Sequence, residues 1–198
     1  MKKYFLFSFF AFLFFANSSY AQQPQNEFSV GCGFITSQDI FEIEQSMLES
    51  IITLGITKSK LTSESGVIGI QYKHFVGNFD FSSTFGYQEF KKKYYIAGDL
   101  VGKTSLEWYT FLAQANYSYI RSNMFQLYSG LGFGYSLYEE NGKLDLQSNN
   151  DYKYEHGESI FSYQLNLLGL RIGKRLGLNL EFGFGFKGVM NAALSYQF

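Results

Sequence analysis

The stretch LNLEFGFGFK puts Leu178, Leu180, Phe182, Phe184 and Phe186 on one parity and Asn179, Glu181, Gly183, Gly185 and Lys187 on the other. A period of two held over ten residues suits a strand, whose successive side chains point to opposite faces, and suits no helix. FQLYSGLGFGYSLY repeats the pattern, and only Ser129 interrupts its apolar side. FDFSSTFGYQEF, YTFLAQANYSY, GVIGIQYKHF and EFSVGCGF alternate in the same way. So does VMNAALSYQF, with Met190, Ala192, Leu194, Tyr196 and Phe198 on one side. In IFSYQLNLLGLRI the parity changes near Gly169. A bulge there would repair the register and turn Arg171 toward the polar face. These stretches number eight.

The next question is which face points inward. A soluble sandwich buries its apolar face and carries charge on the other. Here the polar face holds few charges, Lys73, Asp80, Arg171 and Glu181, among Gly, Ser, Asn, Gln and Thr. That suits Phe and Leu turned toward lipid around a small polar lumen. In so narrow an interior the charges need one another, so these four are expected to form one network. Backbone groups facing hydrocarbon must all be bonded, so the sheet must close. Eight strands enclose room for little beyond their own side chains. Tyr72, Tyr87, Tyr109, Tyr119, Tyr135, Tyr163 and Tyr196 fall toward strand ends, where aromatic girdles belong. The expected fold is all-β, an eight-stranded antiparallel transmembrane β-barrel. A secreted sandwich or a lipocalin-like barrel is the competing reading.

The links between strands alternate in length. Gly77-Asn78, 121–124, 174–177 and 187–191 are tight, whereas 35–65, 91–105 and 139–158 are long. Short turns on one side and longer loops on the other are the asymmetry of outer-membrane barrels, and an even strand number puts both termini on the periplasmic side. The first long link changes period. In SQDIFEIEQSMLESIITL, Ile40, Ile43, Met47 and Ile51 recur at helical spacing, with Asp39, Glu42 and Glu44 in the first turns and Thr36 or Ser37 as cap. An amphipathic helix is expected over about 39–52. Its apolar face needs a partner, be it the barrel mouth, outer-leaflet lipid or another protein.

The chain opens MKKYFLFSFFAFLFFANSSYAQQ. Two lysines, an apolar run from Tyr4 to Ala16 and the small residues Ser19 and Ala21 read as an export signal over 1–21, cleaved to leave a barrel domain over 22–198. The run is too short for a membrane-spanning helix, and no later segment is long and apolar enough for one. Gln22 rather than Cys follows the cleavage point, so no lipoprotein is expected. The formal charge of −1 gives no reason to expect a nucleic-acid partner. Cys32 is the one cysteine, so no intramolecular disulfide forms.

With its export signal, eight alternating stretches, tight turns and final Phe198, the sequence resembles the small outer-membrane barrels of the OmpA/OmpX type and the porin-family proteins of Bacteroidetes. The resemblance spans residues 22–198. It implies that the outward row Leu194, Tyr196 and Phe198 is read by the barrel-assembly machinery, and that outer-membrane lipid and lipopolysaccharide surround the barrel. No cofactor or metal is expected, and a monomer is. The expected task is a non-enzymatic one in surface interaction or envelope integrity. A narrow pore and a lipid-modifying enzyme are the alternatives. Catalysis would need a nucleophile and base in reach of each other, and the candidate bases are His74 and His156. The acidic stretch 139–158 lacks the fixed spacing of a calcium loop and reads as solvated. Lys91-Lys92-Lys93 reads as a solvated strand end rather than a headgroup contact.

Overall fold

A computed structural model describes residues 24–53, 57–96, 99–144 and 152–198. The expected signal, 1–21, lies outside them. The elements are β1 (Asn26–Phe34), α1 (Ser37–Ile52), β2 (Thr57–Glu64), β3 (Val67–Val76), β4 (Phe79–Ile96), β5 (Asp99–Arg121), β6 (Phe125–Leu144), β7 (Tyr152–Gly173), β8 (Leu176–Gly185) and β9 (Met190–Gln197). Strands β3 to β9 pair antiparallel with their sequence neighbours. β1 closes the ring, with Phe28 opposite both Tyr72 of β3 and Tyr196 of β9. Asn26 and Phe198 seal the seam with reciprocal backbone bonds of 3.2 and 2.9 Å. The wall is therefore eight strands around, as the alternation predicts.

Burial is inverted relative to a soluble protein. Phe85, Phe111, Tyr135 and Phe161 lie directly opposite one another across β4 to β7 and are 47–65% exposed on the outer face. The largest fully buried side chains include Lys73, Gln88, Gln164, Glu27 and Asn116. The outer face changes character up the wall. Above the aromatic row lie Tyr87, Tyr109 and Leu137, and above those Glu89, Glu107 and Glu139.

The register break expected near Gly169 is present. The β7–β8 pairing slips between Asn166 and Leu168, so Leu167 and Leu168 are both outward, 55% and 44% exposed. Two outward residues in a row shift the parity, and Arg171 enters the lumen, only 3% exposed. The β6–β7 pairing slips between Tyr128 and Gly130, beside the interrupting Ser129.

Three features depart from the sequence reading. The link 35–65 contains a ninth strand, β2, which continues the wall above β3 by pairing with the upper half of β4. The stretches read as long links, 91–105 and 139–158, are mostly strand. β4 runs to Ile96 and β5 starts at Asp99, while β6 runs to Leu144 and β7 starts at Tyr152. At this height lysines, serines and threonines enter both faces, so the pairing continues without the regular apolar alternation that marks it lower down. The wall is consequently uneven, tall along β4–β7 and low along β8, β9, β1 and β3.

The short β8–β9 link also does more than turn. Phe186 folds inward and is buried, meeting Gly86 of β4 on the far side of the ring. A Cβ on Gly86 would come within 2.2 Å of the Phe186 ring. The Gly86→Ala variant should lose its folded, fast-migrating gel form at lower temperature, at a cost of about 1–3 kcal/mol for overpacking. Adding Phe186→Leu should recover part of that loss, because the two sites share one contact.

Candidate functional site

The lower and middle lumen is filled by interlocked charges. Glu27 of β1 sits at 0% exposure and accepts Arg171 Nε at 2.5 Å, Asn179 Nδ2 at 2.8 Å and Gln197 Nε2 at 2.9 Å. Lys73 Nζ lies 3.8 Å from Glu27 Oε1 and 3.9 Å from Glu181 Oε1, and donates to the Tyr128 hydroxyl at 3.2 Å. Tyr128 donates in turn to Glu181 at 2.8 Å, and Lys187 Nζ reaches the other Glu181 oxygen at 2.9 Å. The Arg171 fork closes on the carbonyls of Gly173, Lys174 and Arg175. Asp80 accepts Asn116 Nδ2 at 2.6 Å.

Three of the four residues expected to pair, Lys73, Arg171 and Glu181, are thus joined through shared partners. Asp80 stands beside them, with no ion pair among the described residues. Two members were missed. Glu27 has the parity of Ser29, Gly31 and Gly33, and Lys187 that of Glu181, Gly183 and Gly185. Both sit at the limit of an alternating stretch, where parity alone does not separate a last inward residue from the first of a turn. With them the lower and middle lumen, among the described residues, sets the carboxylates Glu27, Asp80 and Glu181 against the cations Lys73, Arg171 and Lys187. Balance matters because a charge in this setting costs several kcal/mol unless paired.

Above the network the lumen is closed by Phe186, by Leu112 and by the serine relay Thr110, Ser136 and Ser162. A cavity of ≈ 20 Å³ remains beside Phe186, lined by Gln71, Thr84, Lys187 and Asn191. That is about the room one water needs.

The mouth is capped by the start of α1. Thr36 and Asp39 bond reciprocally, Asp39 N to Thr36 Oγ1 at 3.1 Å and Thr36 N to Asp39 Oδ2 at 2.5 Å, which fixes the first turn. Gln88 of β4 donates to Asp39 at 2.6 Å and accepts from Thr36 at 3.1 Å. Glu42 pairs with Lys92 of β4, and Gln38 reaches Ser136 of β6 at 3.5 Å. So α1 turns its polar side into the barrel, and of its apolar residues Phe41 meets Trp108 edge-on. Ile40, Ile43, Leu48, Ile51 and Ile52 are exposed. Inside the mouth Trp108, Phe90 and Leu106 form a small apolar cluster with Tyr138 and Ile160. This cluster departs from the expected polar lumen, and it occurs where the wall is tall.

His74 and His156 lie at opposite ends. His74 Nδ1 is 2.9 Å from Asn26 Oδ1 near the termini, and His156 Nε2 is 3.3 Å from Glu158 on the tall wall. The His156 ring meets Tyr138 edge-on, and the hydrogen-bond partners of the two histidines are an amide and a carboxylate. Leu194 and Tyr196 face outward on β9.

The fold is a closed antiparallel ring with an ion-paired interior and an apolar exterior. No family model matches the chain, and no curated protein does. Among solved structures it is similar to Ail, the attachment invasion locus protein of Yersinia pestis, in complex with the heparin analogue sucrose octasulfate. The identity is 12% and the TM-score 0.45, over 89% of this chain and 100% of that one. It is also similar to the N-terminal β-barrel domain of Pseudomonas aeruginosa OprF, at 12% identity and TM-score 0.37, over 89% of this chain and 100% of that one.

The network ranks its members. Glu27 serves three hydrogen-bond donors and Lys73, so Glu27→Gln should cost about 3–5 kcal/mol, as expected when one partner of a buried pair is removed. Asp80→Asn keeps an oxygen that can still accept Asn116 Nδ2, and Asp80 has no ion pair among the described residues, so this change should cost clearly less. Urea unfolding of the protein in detergent micelles measures both.

Proposed function

We propose that the chain is an integral outer-membrane β-barrel protein without enzymatic activity, serving surface interaction or envelope integrity. The observation that carries this reading is the inside-out distribution, exposed aromatic rows around a charged, hydrogen-bonded interior. From the Phe79 row to the Tyr87 row the wall climbs eight residues. At about 3.4 Å per residue and a tilt of about 40°, that is about 21 Å of height, near the apolar band of about 25 Å on such barrels. The glutamate row above would stand at the membrane surface. The end with the short turns and the paired Asn26 and Phe198 is then periplasmic. A lower wall closed on itself supports a monomer. The outward row Leu194, Tyr196 and Phe198 would meet the assembly machinery.

A pore is disfavoured by the filled lumen, where Tyr128, Leu112, Lys73 and Phe186 are all buried. Catalysis is disfavoured by the separation of the two histidines and by their neighbours. Membranes from cells making the protein should retain it through an alkaline carbonate wash, and unheated and boiled samples should migrate differently. Release into the wash contradicts the membrane reading. In planar bilayers the pure protein should give no steady conductance; a large steady current would make it a pore.

A further inference from the structure

The polar side of α1 has partners, and its apolar side is exposed. At about 100° per residue, Gln38, Asp39 and Glu42 fall in one arc of the helix, and all three are buried. They meet Ser136 of β6 and Gln88 and Lys92 of β4, on the inner face of the tall wall. Ile40 and Ile51 lie opposite that arc, flanked by Ile43 and Leu48. With Ile52, these side chains are 44–78% exposed. One side of α1 is turned to β4 and β6, so the other looks away from the tall wall, over the low rim formed by β8, β9 and β1.

Height along β1 itself places that side. Asn26 is bonded to Phe198 at the lower rim, and β1 ends at the outward-facing Phe34. At about 3.4 Å per residue and a tilt of about 40°, β1 climbs about 21 Å, near the apolar band of about 25 Å on such barrels. On β4 the charged Glu89 follows Tyr87 outward, but β1 has no charged outward residue above Phe34. Ile35, 61% exposed, comes next, and α1 begins at Ser37. The corner is pinned. Ile35 has φ 57°, a left-handed conformation that strains a β-branched residue. Val189 N bonds to the carbonyls of both Phe34 and Ile35, at 3.0 and 3.1 Å. The start of α1 is thus fixed at the rim, and the outward apolar surface of β1 continues through Ile35 into the isoleucines of the helix.

We propose that α1 lies along the low rim in the boundary between headgroups and acyl chains, with Ile40, Ile43, Leu48 and Ile51 against lipid and its polar side over the lumen. The helix is not long and apolar enough to cross a membrane, so it lies on one. Helices on membranes ordinarily set lysines and arginines among the headgroups. α1 has neither and needs neither, because the barrel takes its acidic side: Glu42 pairs with Lys92, and Asp39 accepts Gln88. Glu44 is exposed on the lipid side. Its carboxylate keeps the helix shallow, in water among the headgroups, while the isoleucines reach about 5–10 Å into the boundary. The bilayer adjoins this rim in every inserted copy, so lipid meets the face before any other partner. The helix then supplies the wall that β8, β9 and β1 lack.

The proposal rests on the membrane-barrel reading, so the two are scored at separate sites. In the full chain carrying Cys32→Ser, a polarity-sensitive fluorophore is attached through Phe133→Cys on the outer wall, or through Ile43→Cys or Ile51→Cys on α1. Each labelled chain is placed in phosphatidylcholine nanodiscs, one barrel per disc, and its folding is checked by heat-dependent migration. A nitroxide near the top of the lipid acyl chain should quench all three sites, and iodide in the water should quench none of them strongly. A label at Phe133 that lipid does not quench overturns the membrane reading and the proposal together. Lipid quenching at Phe133 with iodide quenching at Ile43 and Ile51 overturns the proposal alone. So does shielding of the helix sites from both quenchers, which assigns the face to a protein contact. Adding Ile40→Asn and Ile51→Asn to the Ile43→Cys chain should reduce lipid quenching there, and adding them to the Phe133→Cys chain should change nothing. Undiminished quenching at Ile43 in that variant also overturns the proposal.

Discussion

The hydrogen bonding that joins β1 to both β3 and β9 closes the lower wall, eight strands around, and the remaining features follow from that closure. A closed sheet satisfies its own backbone, so it no longer needs an apolar core to shield unpaired groups. The large apolar side chains are free to face outward, and the small enclosed space is left to polar residues. Once polar groups are inside, they must satisfy each other. Glu27, Lys73, Arg171, Glu181 and Lys187 do so with Tyr128, Asn179 and Gln197 as intermediaries. Room for the bulky members comes from lumen glycines, as where the Tyr128 ring lies 2.3 Å from the place a Gly169 Cβ would take.

The same closure explains the helix. An amphipathic helix against a soluble core buries its apolar side. At the mouth of this barrel the available partners are Gln88, Lys92 and Ser136, all polar, and α1 presents Thr36, Gln38, Asp39 and Glu42 to them. The barrel mouth, one of the partners the sequence leaves open for the apolar face, therefore takes the opposite face.

Legibility in the sequence tracked the contrast between the two faces. Where one face meets an apolar environment and the other a polar lumen, as over Leu176–Gly185 or Phe79–Gln88, alternation marks the strand and its parity together. Arg171 was placed inward from a parity change alone, because a bulge is the one local event that reconciles Leu167 with Leu168. Where polar residues enter both faces, the signal vanishes. β2 and the upper parts of β4 to β7 are strands held by pairing, with no local hydrophobic period to reveal them. Glu27 and Lys187 failed for a related reason, each lying at a strand limit where turn and lumen look alike.

By itself the sequence determined which side chains share a face and in what order the strands follow, since both are set by the two-residue repeat and by turn-forming residues nearby in the chain. It could not determine what stands next to what across the sheet. Asp39 and Gln88 look unrelated along the chain, and Glu27 and Arg171 lie 144 positions apart. Only the tertiary structure set them side by side, because register depends on the simultaneous pairing of every strand around the ring, a nonlocal condition that no single stretch contains.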